Sequence, residues 1–403
     1  MDTTRIGVFA AAALALGLGT AATVAQAPPT FTVERLWPRP LPNHWILGSV
    51  TGVAVDAQDR VWVVHRGVDS LNLRTEAGLA PTATAVGETC CAAAPHVLAF
   101  DRGGSLVGRW GGPGQGYAWP QSPGAIAVDA KGHVWVTAAG PPPGAARGGG
   151  GRGGGRAGGA RGGAARGGAA DAPAPRADDA HVLKFDAAGK FVLQIGKPGD
   201  TGAHDSTTSL NRPAGVAVDS QANEVFVADT GNRRIVVFDA GTGKYKRHWG
   251  AYGTKPDGTD PGAYDSAAAP AKQFRSPSCV EISNDGMVYV CDRLSNRIQV
   301  FRKDGTYVSE GFVGKATLGN GAAWDVAFSR DPKQQWLFVA DGQNHAVHIL
   351  RRDTLQTVAK IGSGGRIPGF FYAVGSVATD SQGAVYTGET LEGKRVQKFV
   401  PGK

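Results

Sequence analysis

Arg66 and Arg293 are the residues of this 403-residue chain whose type and setting point most directly to ligand chemistry. Each follows a short apolar run, Val61-Trp-Val-Val-His65 and Val288-Tyr-Val-Cys-Asp292. A guanidinium carries paired, coplanar N–H donors that fit a carboxylate in a two-pronged hydrogen bond. Two of them in one sequence slot therefore predict an anion, and His65 beside Arg66 joins them as a candidate ligand-binding residue. The competing reading is structural: loop arginines neutralised by Asp292 or Glu389.

Other chemistries find little support. The nine histidines show no metal spacing and there is no Cys-x-x-Cys pair. His345 and His348 enter a strand, where residues three apart point to opposite faces. The glycine-rich run Gly111–Gly116 lacks the helix and Lys of a phosphate loop, and no Ser-centred nucleophile elbow occurs. Cys279 and Cys291 flank the turn Asn284-Asp285-Gly286 symmetrically. They predict either a cross-strand disulfide or two buried thiols. The adjacent Cys90 and Cys91 fit a vicinal bridge, an intermolecular bridge or free thiols.

These residues are positioned by a repeat. Gly52-Val-Ala-Val-Asp56 precedes Val61-Trp-Val-Val-His65, and Ala125-Ile-Ala-Val-Asp129 precedes Val134-Trp-Val-Thr137. The pattern returns from Gly215, Cys279, Asp325 and Ser376, six copies in all. Each continues with a third strand, such as Arg234-Ile-Val-Val-Phe-Asp239, and most with a fourth. Short polar turns between apolar runs are hairpin chemistry. Trp62, Trp135, Phe226, Tyr289, Phe338 and Tyr386 share one register and predict ring packing in the core.

Six copies of four antiparallel strands predict an all-β, six-bladed propeller. Without the leader and insertions 71–95, 140–180 and 253–273, roughly 290 residues remain, about 49 per copy, near the length of a propeller blade. The sixth copy lacks a fourth strand before Lys403, so Phe31–Trp37 is expected to supply it and close the ring. The inner-rim positions are then Thr51, Gly124, Ala214, Ser278, Trp324 and Gly375. Five are small, which predicts an open axial mouth with Trp324 as its single large ring.

Composition sets the outer limits. Gly supplies 60 residues and charged groups only 19%, with no heptads, which excludes a coiled coil. The net charge is +8, but segment 140–180 alone holds six Arg and three Asp. The remainder is mildly basic, and no nucleic-acid partner is expected. Arg5, the uncharged run Ile6–Val24 and the small residues near Ala25 predict a signal peptide over 1–25, a mature propeller over 26–403, a periplasmic or secreted location and no remaining membrane span. The segment 140–180 has four Arg-Gly-Gly units and almost no large apolar side chain, so it predicts a solvated insertion within the second repeat.

The stretch Asp229-Thr-Gly-Asn232-Arg-Arg234-Ile-Val-Val-Phe238, echoed by Asp292-Arg-Leu-Ser-Asn296-Arg297-Ile-Gln-Val-Phe301, resembles the NHL repeat. Gly52–Asp56 leading to His65-Arg66-Gly67, together with Asp292-Arg293, resembles the peptidyl-hydroxyglycine amidating lyases, which are six-bladed NHL propellers. The resemblance implies that Arg66 and Arg293 line the central site and act on substrate. The lyases bind zinc through three His, and the matching positions here are Gly124, Ser278 and Gly375. Their calcium-binding Asp falls on Ser376, and Thr230 and Gly231 stand where the catalytic Tyr would be.

Two expectations follow. One is a non-catalytic, exported binding module that takes a peptide, a small anionic ligand or a protein partner through Arg66, Arg293, Trp324 and His65, without metal or cofactor. The other is a divergent amidating-lyase-like enzyme, with Arg66 and Arg293 catalytic and its zinc or calcium site altered or lost. The low-complexity reading carries its own prediction. Deleting Pro141–Ala177 should change unfolding free energy by less than about 1 kcal/mol, measured by denaturant titration. A larger loss would show that the segment packs on the ring.

Overall fold

The computed structural model describes residues 27–71, 91–140 and 179–402. The leader 1–25, Cys90 and nearly all of the Arg-Gly-Gly insertion lie outside them. The described residues form six four-stranded antiparallel sheets arranged as propeller blades, with a two-residue parallel ladder, Trp45–Ile46 on Ala92–Ala93, at one edge. Among the described residues there is no α-helix, only short 3₁₀ turns, and no helix long and apolar enough to cross a membrane.

Each blade begins at the axis. The innermost strands are Val50–Val55, Pro123–Val128, Pro213–Asp219, Pro277–Ile282, Asp325–Phe328 and Val374–Thr379. Neighbouring innermost strands pack against each other all the way round, the sixth against the first. The approach is tight enough to require glycine. A Cβ on Gly52 would lie 2.7 Å from the amide nitrogen of Ile126, and one on Gly215 would lie 2.8 Å from Cys279 Cα. This explains the small-residue runs that open each repeat.

The second strands carry the aromatic slot. Trp62, Trp135, Phe226, Tyr289, Phe338 and Tyr386 are all buried. Each stands directly opposite the same position of its innermost strand: Ala54, Ala127, Ala217, Glu281, Ala327 and Ala378. A small residue opposite a ring leaves the ring room to fill the space between blades. Polar tips are satisfied at the turn before: Trp62 and Trp135 donate Nε1–H to Asp56 and Asp129, and the Tyr386 hydroxyl donates to Asp380. In blade four, Cys279 and Cys291 are joined by a disulfide across the first two strands. Cys91 is also disulfide-bonded.

The ring closes as expected, over a shorter ladder. Phe31–Val33 pairs antiparallel with Arg395–Pro401, and the Glu34 amide donates to the Lys398 carbonyl. The chain then leaves the sheet edge so that Trp37 can bury its indole against Phe100 and Tyr386. Phe31 meets Phe338 edge-on at 5.5 Å. A chain beginning after Pro38 therefore loses a strand, the buried Trp37 and the partly buried Phe31. It should unfold at least about 3 kcal/mol more easily, given roughly 1.5–3 kcal/mol per buried large side chain. Equal thermal and denaturant midpoints for the truncated and longer chains would refute this closure.

Candidate functional site

Five blades share a device that aims residues at the axis. The innermost strand loses register at its first residues, between Val50 and Gly52, Pro123 and Ile126, Pro213 and Gly215, Pro277 and Cys279, and Val374 and Ser376. The skipped positions include Thr51, Gly124, Ala214, Ser278 and Gly375, the rim positions read from the repeat. A bulge leaves its extra residue unpaired and re-aims it.

Arg66 and Arg293 stand in equivalent places above this rim. The Arg66 amide donates to Ser49 O and the Arg293 amide to Ser276 O, each at 3.0 Å. They come from blades one and four, on opposite sides of the ring, yet are close enough that Arg66 depresses the pKa of Arg293. Burial is the larger cause, and together they bring it down to about 10. Burial also lowers Arg66, partly offset by the charge of Asp179. Both residues are half-buried, and Nε of each is sealed from solvent without a hydrogen-bond partner. The Arg293 guanidinium lies over the Trp324 ring, 4.7 Å from its centroid, and Trp324 Nε1 donates to Gly321 O at 2.7 Å.

The carboxylates expected to neutralise these arginines are engaged elsewhere. Asp292 accepts from Arg297 Nε at 3.0 Å and from the amides of Arg275 and Ser276. Glu389 accepts from Arg395, Gln397 and the amide of Tyr372. Both serve a recurring clamp, in which a side chain near the second strand's end ties down the loop before the innermost strand. Asp229 does so with the Asn211 amide.

His65 serves the same clamp. It is fully buried, its Nδ1 accepts from the amides of Gly48 and Gly67, and Nε2 donates to Pro95 O. Burial, followed by the proximity of His96, holds its pKa down to about 4. The structure therefore sets His65 apart from Arg66, Arg293 and Trp324. Both ring nitrogens are committed to backbone, which leaves none for a ligand.

Blade two shows what the sequence concealed. Its second strand ends Thr137-Ala138, with no acceptor for the clamp. Asp179 supplies one from the far end of the Arg-Gly-Gly insertion, accepting from the amides of Gln121, Ser122 and Gly140. It is also the carboxylate whose charge acts on Arg66. Burial raises its own pKa despite these partners.

Below the rim, the expected open mouth narrows. Trp324 lies against Gly342 and Gly375, where a Cβ would meet its ring, and so covers part of the space the small residues leave. The channel encloses about 40 Å³, room for two or three waters. Two carboxylates line it, Glu281 and Asp325, where the equivalent positions of other blades are mostly Gly or Ala. Asp325 accepts from Ser376 Oγ and the Val377 amide, while burial pushes it up to about 6. Burial, then the charge of Asp325, raise Glu281 well above the usual range.

The residues present do not fit the lyase metal set. Gly124 and Gly375 offer no side-chain donor, and Ser278 Oγ donates to Trp324 O at 2.9 Å. Ser376 Oγ is committed to Asp325 and to the Val53 amide. Among the described residues, no group of three or more His, Cys, Asp or Glu could hold a metal ion.

The NHL repeat family model matches residues 210–238. The chain is similar to NHL repeat-containing protein 3 of Homo sapiens, 28% identical over 243 residues, which cover 55% of this chain and 58% of that protein. The Mus musculus protein of the same name is 26% identical over 237 residues, with the same coverage of each. The chain thus spans little more than half the length of these relatives. Among solved structures, streptogramin B lyase aligns over 92% of this chain and 98% of its own, at 9% identity and a TM-score of 0.48.

The channel acids generate a prediction. A carboxyl whose folded pKa lies above its unfolded value stabilises the fold at low pH. That contribution is lost as pH rises from the unfolded value toward the folded one. Glu281→Gln removes the charge and keeps the shape. It should be more stable than wild type at pH 8, by on the order of 1 kcal/mol, with the difference vanishing near pH 4. Urea midpoints at pH 4, 6 and 8 measure this. A variant no more stable than wild type at pH 8 would refute it.

Proposed function

We propose that this NHL-repeat propeller is an exported, non-catalytic binding module whose axial mouth holds a carboxylate-bearing ligand between Arg66 and Arg293. One observation carries the reading: among the described residues, two half-buried guanidiniums with unpaired Nε–H groups have one carboxylate, Asp179, to balance them. Those residues leave the mouth one negative charge short. A carboxylate supplies one charge and two acceptor oxygens, which suits it better than a phosphate dianion. Trp324 fixes the plane of Arg293, so that fork is oriented before ligand arrives. The narrow channel below keeps the ligand at the rim. The disulfide between Cys279 and Cys291 supports an oxidising compartment, periplasmic or extracellular.

The test is a titration of small carboxylic acids and carboxylate-terminated peptides against wild type, Arg66→Lys and Arg293→Lys. Lysine keeps the charge and loses the fork. Each variant should bind ten- to a hundredfold more weakly, the equivalent of roughly 1.5–3 kcal/mol for a charge-assisted contact. Unchanged affinity in both would show that the arginines are structural. Abolition by Trp324→Ala alone would make the pocket apolar in character. The rival reading, a divergent amidating-lyase-like enzyme, is favoured by the two arginines in that family's substrate slots. One tightly bound zinc per purified chain would support it.

A further inference from the structure

The segment 253–273, an insertion by the count of the repeat, builds a cavity of about 320 Å³. No strand lies between Trp249 and Pro277, and residues 260–264 of this segment form one wall. The ring supplies the others: Arg233 from blade three, Leu294 from blade four, and residues 317–319 with Gly321 from the connection to blade five. Arg275 lines the cavity where the insertion rejoins the ring. The Tyr264 hydroxyl donates to Lys315 O at 2.6 Å, which pins the insertion to the ring and holds that wall in place. The cavity is thus a product of the insertion, not of the repeat.

Its lining is short of negative charge. Arg275 donates from Nη1 to the carbonyls of Pro261, at 2.9 Å, and Gly262, and its guanidinium lies 5.8 Å from the centroid of the Tyr264 ring. Carbonyls and a ring orient the group but carry no net charge. Among the described residues no carboxylate pairs with Arg275. Its Nε is sealed from solvent without a hydrogen bond, and Nη2 has no partner either. Arg233 pairs with Asp260 at 3.3 Å, but that carboxylate is 74% exposed, and an exposed pair contributes little. The contacts of Arg233 with the carbonyls of Gly258 and Thr259 are long, 3.4 and 3.3 Å. Two guanidiniums thus face one loosely held carboxylate. The smaller cavity behind Arg275 does not restore the balance: it adds Lys315 and Asp265, of opposite sign, and Arg297, which is paired with Asp292. A half-buried cation without a counter-charge is costly, and an anion in the cavity recovers that cost.

We propose that this cavity is an oxyanion site for a sulfate monoester, independent of the arginine mouth. The excess of one positive charge calls for one negative charge, which a sulfate ester carries and a phosphate monoester exceeds. Arg233 and Arg275 come from different walls, so oxygens spread tetrahedrally can meet both, whereas a carboxylate offers two oxygens in one plane. A sulfate monoester keeps three such oxygens on one charge. Its organic part then lies against the Tyr264 ring, Leu294 and Leu318, which is 67% exposed.

The experiment titrates 4-nitrophenyl sulfate, 4-nitrophenyl phosphate, 4-nitrobenzoate and 4-nitrophenyl glucoside by calorimetry at pH 8 against wild type, Arg233→Gln, Arg275→Gln and Arg293→Lys. Arg275 also holds the insertion, so melting temperatures are compared. Arg233, with only long and exposed contacts, tests the site without that burden. The sulfate is expected to bind wild type more tightly than the phosphate and about tenfold or more tighter than the uncharged glucoside. Arg233→Gln and Arg275→Gln should each weaken the sulfate by about tenfold, and Arg293→Lys should leave it unchanged. Sulfate affinity that survives Arg233→Gln, or that falls only in Arg293→Lys, overturns the cavity as its site. A glucoside bound as tightly as the sulfate overturns the anion. A phosphate bound more tightly overturns the single charge, and a 4-nitrobenzoate lost in Arg233→Gln as the sulfate is overturns the tetrahedral shape. No binding of the sulfate overturns the proposal outright, whatever 4-nitrobenzoate does at Arg293.

Discussion

The convergence of six innermost strands on one axis is the constraint from which the rest follows. Backbone meets backbone so closely at Gly52 and Gly215 that no side chain fits between adjacent blades. Bulk is therefore largely excluded from the first strand and moved to the second, where five of the six large rings find an alanine opposite and Tyr289 faces Glu281. It is also excluded from most of the rim, where a bulge turns a small residue toward the axis. Polar function has to come from above the ring, on the loops that leave the second strands. Arg66 and Arg293 occupy those loops.

Holding those loops in place is the work of the clamp. An acceptor near the end of a second strand fixes the loop that feeds the neighbouring first strand, so the loop geometry of a blade is tied to its core. Where the acceptor is an aspartate at the end of the second strand itself, in blades three and four, the blade consumes its charge internally through Arg234 or Arg297. Blade one uses a neutral histidine instead, which adds no negative charge beside Arg66. Blade four commits Asp292 to Arg297 and leaves Arg293 to the face of Trp324. The positive character of the mouth thus arises because the nearby acids are already engaged.

Much of this was legible in the sequence because it repeats. Six copies of one pattern reveal blade number, strand order, the aromatic slot and the equivalence of Arg66 with Arg293 without any knowledge of contacts. The closing strand at Phe31 follows from a missing fourth strand in the sixth copy. Departures from the repeat were harder. His65 reads as a ligand-binding residue because histidine so often is one, yet it replaces the aspartate of other copies at the clamp. Asp179 takes that role in blade two from some forty residues downstream, a distance that no periodicity bridges. Glu281 and Asp325 did leave a signal, as the acids in columns that are otherwise small or uncharged. Their elevated pKa values come from the narrow channel, which only the closed ring creates. Trp324 was recognised as a rim residue, but its lean over Gly342 and Gly375, which narrows the opening, depends on how blades five and six meet.

The Asp179 clamp has a consequence for the architecture of blade two. The chain leaves the ring at Gly140 and rejoins it at Asp179, and the two are joined by a hydrogen bond of 3.2 Å from the Gly140 amide. Departure and return are thus stitched together at the base. Blade two therefore offers a docking port on the face that carries Arg66 and Arg293, where a tag, a reporter or a whole folded domain can be grafted between two endpoints that the ring already holds together.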